Sequence, residues 1–212
     1  MIVRGGAYIF LAGGGGADDS AELDRHFFDC VPMNGKILYC PAAMDSGRYQ
    51  SALEWFTGLV RRYSDTTTIE LLTEDNASTV NLNDYDAVFI GGRNTYKLLD
   101  FVIKSGLNTK LKDYIQNGGV IYGGSAGAVI LGKSIDVARE ADDPTGYKYT
   151  DGLDLLDDAC VACHWPNAAD YVHKFAAEHK YKTYCLPENC GMIFCGDGEL
   201  IMTVGNGTEI IE

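Results

Sequence analysis

Short apolar runs alternate with longer amphipathic segments, and this alternation is what most constrains the fold of the chain. Predicted strands at 7–11, 36–40, 67–72, 87–90 and 120–122 are apolar without in–out alternation, as in strands that are buried on both faces. Predicted helices separate them, at 21–30, 48–63, 96–104 and 108–116. The pattern predicts an α/β fold, a mostly parallel sheet with helices on both faces.

The second part of the chain has shorter elements. Residues 132–151 are polar and are predicted to form a loop, followed by a strand at 159–163 and a helix at 168–179. Short strands are predicted at 183–186, 192–195 and 200–204. Gly205-Asn206-Gly207 is typical of a hairpin turn and predicts that 200–204 pairs with 209–211. The length of 212 residues and the absence of a linker predict a single domain, 1–212.

Charge and cysteine content limit the possible partners. The 17 basic and 30 acidic residues give a net charge of -13, and the largest basic cluster is Arg61-Arg62. Nucleic acid and anionic membranes are therefore not expected as partners. The apolar run within Met1 to Leu11 is too short for a signal peptide or a membrane span. Seven cysteines, an odd number, predict reduced thiols and a cytoplasmic location.

A serine lies between a predicted strand end and a predicted helix start, within Ile121 to Ile130. Gly123-Gly-Ser125-Ala-Gly127 has the G-x-S-x-G spacing of a nucleophile elbow. A sharp strand-to-helix turn strains the serine backbone, and side chains two positions away would collide, so glycine is expected there. The amide of Ala126 would then face an oxyanion. The alternative is an ordinary glycine-rich turn with a serine of no function.

A serine nucleophile needs a base, and the chain has four histidines. His26 lies on an early predicted helix, and His173 and His179 lie on a late one. His164 ends a predicted strand and would share an edge with Ser125 if that strand is parallel, so it is the preferred base. The polar loop between them supplies four candidates for the acid that orients the imidazole: Asp136, Glu140, Asp142 and Asp143.

Three further patterns do not predict a cofactor. Residues 127–134 fit the P-loop expression, but the predicted structure is a buried helical turn rather than an exposed phosphate loop. Residues 160–164 fit C-x-x-C-H, a haem or zinc pattern that Cys185, Cys190 or Cys195 could complete, although buried strand cysteines usually act as small hydrophobic residues. Residues 13–16 are interpreted as a close-approach turn. No metal and no cofactor are expected.

Four segments resemble the peptidase E family of serine peptidases. Residues 90–99, IGGRNTYKLL, resemble its G-G-G-N-T segment, and 122–128, YGGSAGA, resemble its nucleophile segment. Residues 152–165 resemble the stretch that ends in its catalytic histidine, and 186–189, LPEN, resemble its L-P-E-G segment. The resemblance covers nearly the whole chain.

The resemblance implies a fold similar to class I glutamine amidotransferases, that is, a flavodoxin-like three-layer sandwich. It implies a serine peptidase that cuts small peptides after an N-terminal aspartate through an acyl-enzyme. Carried over by position, Ser125 is the nucleophile, His164 the base, Glu140 the acid, and Gly92 an oxyanion donor with Ala126. A gap in the loop would shift the acid to Asp136 or Asp142.

Two positions depart from the family pattern. Arg93 stands where the third glycine of G-G-G-N-T is expected, and the predicted helix after His164 has no substrate-binding arginine. We therefore expect Arg93 or Lys174 to bind a substrate carboxylate, with Asn94 and Thr95 as neighbouring contacts. The expected partner is a small peptide, and the chain is expected to be a monomer or homodimer.

Three alternatives remain. A cyanophycinase-like enzyme of the same broad family would degrade an Asp–Arg polymer. An esterase of the α/β-hydrolase type shares the elbow, but it is usually longer and leaves Asn94 and Thr95 unexplained. A binding protein without activity could also use this fold.

Overall fold

A seven-stranded sheet forms the centre of the molecule in the computed structural model, which describes residues 5–212. Its strand order is β3-β2-β4-β5-β1-β8-β9. The strands are β1 (Tyr8–Ala12), β2 (Lys36–Cys40), β3 (Thr68–Leu71), β4 (Ala87–Ile90), β5 (Val120–Gly124), β8 (Gly191–Cys195) and β9 (Leu200–Val204). The first five are parallel, and β8 and β9 are antiparallel additions at one side. The predicted fold class is confirmed.

Helices cover both faces of this sheet. On one face, α1 (Ala21–Cys30) and α2 (Tyr49–Val60) pack on an aromatic core that includes Phe10, Phe89 and Tyr122. On the other face lie α3 (Thr95–Lys104), α4 (Leu107–Gln116) and the single turn α5 (Ala126–Val129). Strands β1 and β4 are buried along their whole length because helices lie above and below them. Strand β3 is at an edge, and its side chains alternate between exposed and half-buried.

A second sheet of three strands packs beside α5. It has the order β10-β7-β6, with β6 (Cys160–Cys163) parallel to β7 (Thr183–Leu186) and β10 (Glu209–Ile211) antiparallel to β7. The predicted hairpin between β9 and β10 is therefore wrong. The Gly205–Gly207 turn leads the chain from the large sheet to the small one, because β9 pairs with β8 and β10 pairs with β7.

The small sheet also changes how the site is assembled. His164 was expected on the same sheet as Ser125, but β6 belongs to the small sheet and β5 to the large one. The helix α6 (Ala169–His179) follows β6. Two sheets, rather than one, must meet to bring the serine and the histidine together.

The remaining predictions concern a membrane span and an N-terminal leader. No helix within residues 5–212 is long and apolar enough to cross a membrane. Residues 1–4, the start of the segment considered as a leader, lie outside the described residues.

Candidate active site

Ser125 is in a strained turn between β5 and α5. Its backbone angles are φ 50° and ψ -113°, outside the regions that non-glycine residues favour. A Cβ at position 123 would lie 2.5 Å from the carbonyl oxygen of Gly127, and one at position 127 would lie 2.2 Å from that of Ile90. Both flanking glycines are therefore required by backbone contacts, as the elbow pattern predicts.

His164 lies directly at the serine. Its Nε2 accepts a hydrogen bond from Ser125 Oγ at 2.8 Å. On the other side of the ring, Nδ1 donates to Glu188 Oε1 at 3.1 Å. A carboxylate can only accept, so Glu188 selects the tautomer in which Nε2 is free to take a proton from the serine.

The loop after β1 joins these segments across the two sheets. The backbone N–H of His164 donates to Gly13 O at 2.9 Å, and that of Gly15 donates to Glu188 O at 3.1 Å. Gly14 has φ 110°, and a Cβ there would lie 2.4 Å from an atom of the His164 ring. The Gly13–Gly16 segment is therefore a close-approach turn, and its glycines leave room for the imidazole and for the Glu188 backbone.

Two backbone amides, those of Gly92 and Ala126, belong to residues that lie next to Ser125. A Cβ on Gly92 would lie 2.9 Å from Ser125 Cβ, so only glycine lets this backbone approach the serine. Ala126 begins α5 directly after the serine. Within residues 5–212, neither amide hydrogen has a hydrogen-bond acceptor. Both are thus available to a developing oxyanion.

The acid that contacts His164 is not among the four that the sequence analysis considered. Glu140 is exposed, and the Nδ1 atom it was expected to bind is occupied by Glu188. The signal for Glu188 was in the chain pattern: β6 and β7 are parallel and end together, with Cys163 opposite Leu186. His164 and Glu188 follow these two strand ends, so the strand order could have identified the pair.

The other three acids serve structural contacts. Asp136 accepts from Tyr96 Oη at 2.9 Å and from Arg139 at 2.8 Å. Asp142 accepts from the backbone N–H of Thr95 at 3.0 Å and from its hydroxyl. Asp143 accepts from the Thr145 backbone. The contacts of Asp136 with Tyr96 and of Asp142 with Thr95 hold this part of the chain to the start of α3, whereas the Asp143 contact is local to its loop.

Three of the four predicted substrate-binding residues lie at the catalytic cavity, and the fourth lies elsewhere. Arg93, Asn94 and Thr95 line a cavity of about 670 Å³ that contains Ser125 and His164. Asn94 is also structural, since its side chain caps α3 at Lys97 N and donates to Asp143 O. Lys174 lies outside this cavity, in a separate depression with Glu178. Of the two predicted carboxylate-binding cations, only Arg93 is at the site.

Arg93 has an unusual backbone for its residue type. Its φ is 133°, a region that favours glycine. Its side chain is exposed and has no ion-pair partner among the described residues. A strained, unpaired cation at the cavity is therefore available to an anionic group of a ligand.

The C-x-x-C-H pattern of residues 160–164, on and directly after β6, does not form a metal-binding site. Cys160 and Cys185 are buried, and burial raises their thiol pKa values, to about 11 and about 12. Cys163 lines the cavity, but burial raises the pKa of its thiol as well, so it stays protonated near neutral pH. Among residues 5–212, no three His, Cys, Asp or Glu side chains are grouped to hold a metal ion.

The P-loop-like segment and the other histidines lie away from the chemistry. Residues 129–132 are buried, and Lys133 pairs with Asp154 at 2.7 Å rather than facing the cavity. His173 lies 3.6 Å from Glu209, and His179 packs on Phe175. His26 is half-buried on α1, on the opposite face of the large sheet from α5.

The assembled groups support acyl transfer. A strained serine, a histidine within proton-transfer distance, a carboxylate behind it and two free amides are the components of that chemistry.

Comparison with known proteins identifies the same class. The model of Peptidase family S51 matches residues 9–202. An uncharacterised peptidase of Listeria innocua, Lin0382, is 28% identical over 136 residues, 62% of this chain and 64% of that protein. Cobyric acid synthase of Chlorobium phaeobacteroides is 29% identical over 133 residues, 60% of this chain and 26% of that protein. The chain thus spans about two thirds and about a quarter of these relatives.

Two crystal structures share the fold. A protein assigned as a peptidase E from Listeria monocytogenes EGD-e superimposes with a TM-score of 0.75 at 21% identity, covering 98% of this chain and 100% of that one. A peptidase from an acI-B1 Actinobacterium gives a TM-score of 0.67 at 16% identity, covering 98% of both chains.

Proposed function

Because the chain belongs to peptidase family S51 and is a serine peptidase of the peptidase E type, we propose that it hydrolyses small peptides with Ser125, His164 and Glu188. Ser125 Oγ attacks the carbonyl carbon while His164 Nε2 takes its proton. Glu188 holds the imidazole and stabilises the imidazolium that forms. The observation that carries this proposal is the 2.8 Å contact between Ser125 Oγ and His164 Nε2 at a strained elbow.

The later steps follow from the same groups. His164 returns the proton to the leaving amine, so the peptide bond breaks and an acyl-enzyme forms on Ser125. A water molecule, deprotonated by His164, then attacks the ester carbon; the bond to Ser125 Oγ breaks, His164 returns the proton to Oγ, and the acid product leaves. The amides of Gly92 and Ala126 stabilise the oxyanion in both steps.

The family resemblance implies a substrate whose N-terminal residue is aspartate. Arg93 supports this specificity, because it is the cation that lines the cavity. If Arg93 binds the aspartate side chain, Arg93→Ala lowers kcat/KM for Asp-Ala more than for Leu-Ala or Ala-Ala. An equal effect on all three dipeptides would remove Arg93 from this role.

We also propose a cytoplasmic location. Its support is that all seven cysteines are free thiols in the structure.

The test of the proposed function is a dipeptide library assayed with wild type and Ser125→Ala. We expect the variant to lose at least about 1000-fold in kcat, as happens when a triad nucleophile is removed. A fluorophosphonate probe should label wild type at Ser125 and leave the variant unlabelled. Hydrolysis by a correctly folded Ser125→Ala protein at the wild-type rate would refute the mechanism.

A further inference from the structure

The cavity at Ser125 has two chemically different halves. Towards the small sheet it is lined by small and aliphatic residues such as Ala138, Ala162 and Val172. Towards α2 it is lined by the four rings of Tyr39, Trp55, Phe89 and Tyr122, which we call the aromatic half. These rings come from β2, α2, β4 and β5, so the aromatic half opens at the carboxyl ends of three parallel strands.

The rings of the aromatic half form a fixed surface. Phe89 stacks on Tyr122 with centroids 4.3 Å apart, and it meets Tyr39 edge-on at 5.9 Å. Tyr39 stacks in turn on Phe56 at 4.4 Å. Tyr39, Phe89 and Tyr122 are almost fully buried, so packing fixes their positions and little ordering of side chains is required when a ligand contacts the ring edges that line the cavity.

Trp55 differs from the other three rings. Its side chain is 47% exposed, yet it lines the cavity and meets the Phe89 ring at a centroid distance of 6.5 Å. One part of the indole therefore faces solvent and another faces the catalytic cavity. A bound group in the aromatic half would cover indole surface that water now contacts.

The aromatic half presents no free charge. Behind the rings, the carboxylate of Asp24 is fully buried and accepts from Tyr122 Oη at 2.7 Å and Ser20 Oγ at 2.9 Å. Asp142 lines the other half, where Thr95 binds it. A charged side chain placed against the rings would lose its hydration without gaining an ion pair. Among residues 5–212, the side-chain polar atom buried there without a partner is the Tyr39 hydroxyl, so an uncharged and mainly apolar occupant is favoured.

Building on the proposed peptidase function, we propose that the aromatic half binds a large aromatic side chain of the substrate, next to the bond that is cut. The enzyme then selects small peptides that carry such a residue beside the bond. Arg93 lines the same cavity without an ion-pair partner among the described residues, so it is free to bind a carboxylate of the same peptide. Trp55 is the specificity-determining residue, because it is the ring whose exposure the substrate changes.

The proposal is tested with two dipeptide series, Asp-X and X-Ala, in which X is Ala, Leu, Phe or Lys. We expect kcat/KM to rise at least about tenfold from Ala to Phe in one series, the discrimination that an added apolar group gives in a fitting pocket. Equal rates for Ala and Phe in both series, or a preference for Lys over Phe, would overturn it.

Variants at position 55 identify the group responsible. Trp55→Ala should reduce the ratio of kcat/KM between Phe and Ala substrates at least about fivefold, whereas Trp55→Phe should retain most of it. Met33→Ala removes another exposed hydrophobic side chain, 81% exposed and outside the cavity, and should leave the ratio unchanged. A Trp55→Ala protein with the wild-type ratio would contradict the assignment.

Failure of this inference differs from failure of the proposed function. If no dipeptide is cut and Ser125 is not labelled by the fluorophosphonate, the peptidase mechanism itself is wrong. If Ser125 is labelled and dipeptides are cut without regard to the size of X, only the role of the aromatic half is wrong.

Discussion

The imidazole of His164 is held at both ring nitrogens, by Ser125 Oγ at 2.8 Å and Glu188 Oε1 at 3.1 Å. Glu188 is 61% exposed, unlike the buried acid of many triads, so water also reaches its carboxylate. Its contribution to orienting the ring is therefore smaller than that of an acid that is shielded from solvent.

Replacing Glu188 by Gln should lower kcat for a dipeptide by about 10- to 100-fold, the effect known for carboxylates that orient metal-bound histidines. This is less than the roughly 10⁴-fold effect of changing a buried triad acid. Steady-state kinetics against the best dipeptide measure it. Glu140→Gln is the matched control, since Glu140 is exposed and contacts neither His164 nor Ser125 in the structure. A larger loss in Glu140→Gln than in Glu188→Gln would reverse the assignment.

At the scale of elements, two helical glycines on opposite faces of the large sheet differ in whether a side chain would fit in their place. Gly58 lies inside α2, where an added Cβ would meet nothing within 4 Å. Gly127 lies in α5, where an added Cβ would lie 2.2 Å from the Ile90 carbonyl oxygen. An alanine at position 58 would therefore meet no obstacle. An alanine at position 127 would fit only if the backbone of β4 moved.

Gly58→Ala should therefore raise the free energy of unfolding by about 0.5–1 kcal/mol, because alanine is the better helix former. Gly127→Ala should lower it by about 1–3 kcal/mol or more, through overpacking. Urea unfolding of both variants measures the two changes, and each variant serves as the control for the other. Destabilisation by Gly58→Ala would show that α2 does not follow helix propensity at this position.

Local patterns predicted the elements well, and the long-range contacts poorly. The strands β1, β2, β4 and β5 and the elbow at Ser125 lie where apolar runs and glycines place them. The partner of β10 could not be predicted, because Gly205–Gly207 is a good turn signal whichever strand the next segment joins. Glu188 was missed because no local pattern marks it, although the parallel pairing of its strand with that of His164 would have pointed to it. Its position beside His164 depends on the pairing of β6 with β7 and on the Gly15 contact, which lie far apart in the sequence.

For the molecule as a whole, one buried carboxylate sets a pH dependence of stability. Asp24 is fully buried on α1, and burial raises its pKa above the ordinary value despite the hydrogen bonds from Tyr122 and Ser20. In the unfolded chain this group ionises near pH 3.9. The folded protein holds the proton more tightly, so its stability falls as the pH rises from about 4 through the raised pKa.

Asp24→Asn removes this titration. We expect the stability of wild type relative to the variant to fall as the pH rises from about 4, measured as free energies of unfolding in urea at each pH. Glu22→Gln, an exposed acid on the same helix, should give no such trend. A difference between wild type and Asp24→Asn that is constant with pH would show that burial does not perturb Asp24.

The nucleophile and its base belong to different sheets, and the Gly13–Gly16 segment bridges the two. Turnover therefore depends on how the two layers dock, and a displacement of about one ångström at their boundary would slow it by about 100-fold with both layers intact. Changes on the outer strand of the smaller layer, far from the reacting atoms, can then adjust the rate. Evolution could tune the speed of such an enzyme from its periphery and leave the reacting groups untouched.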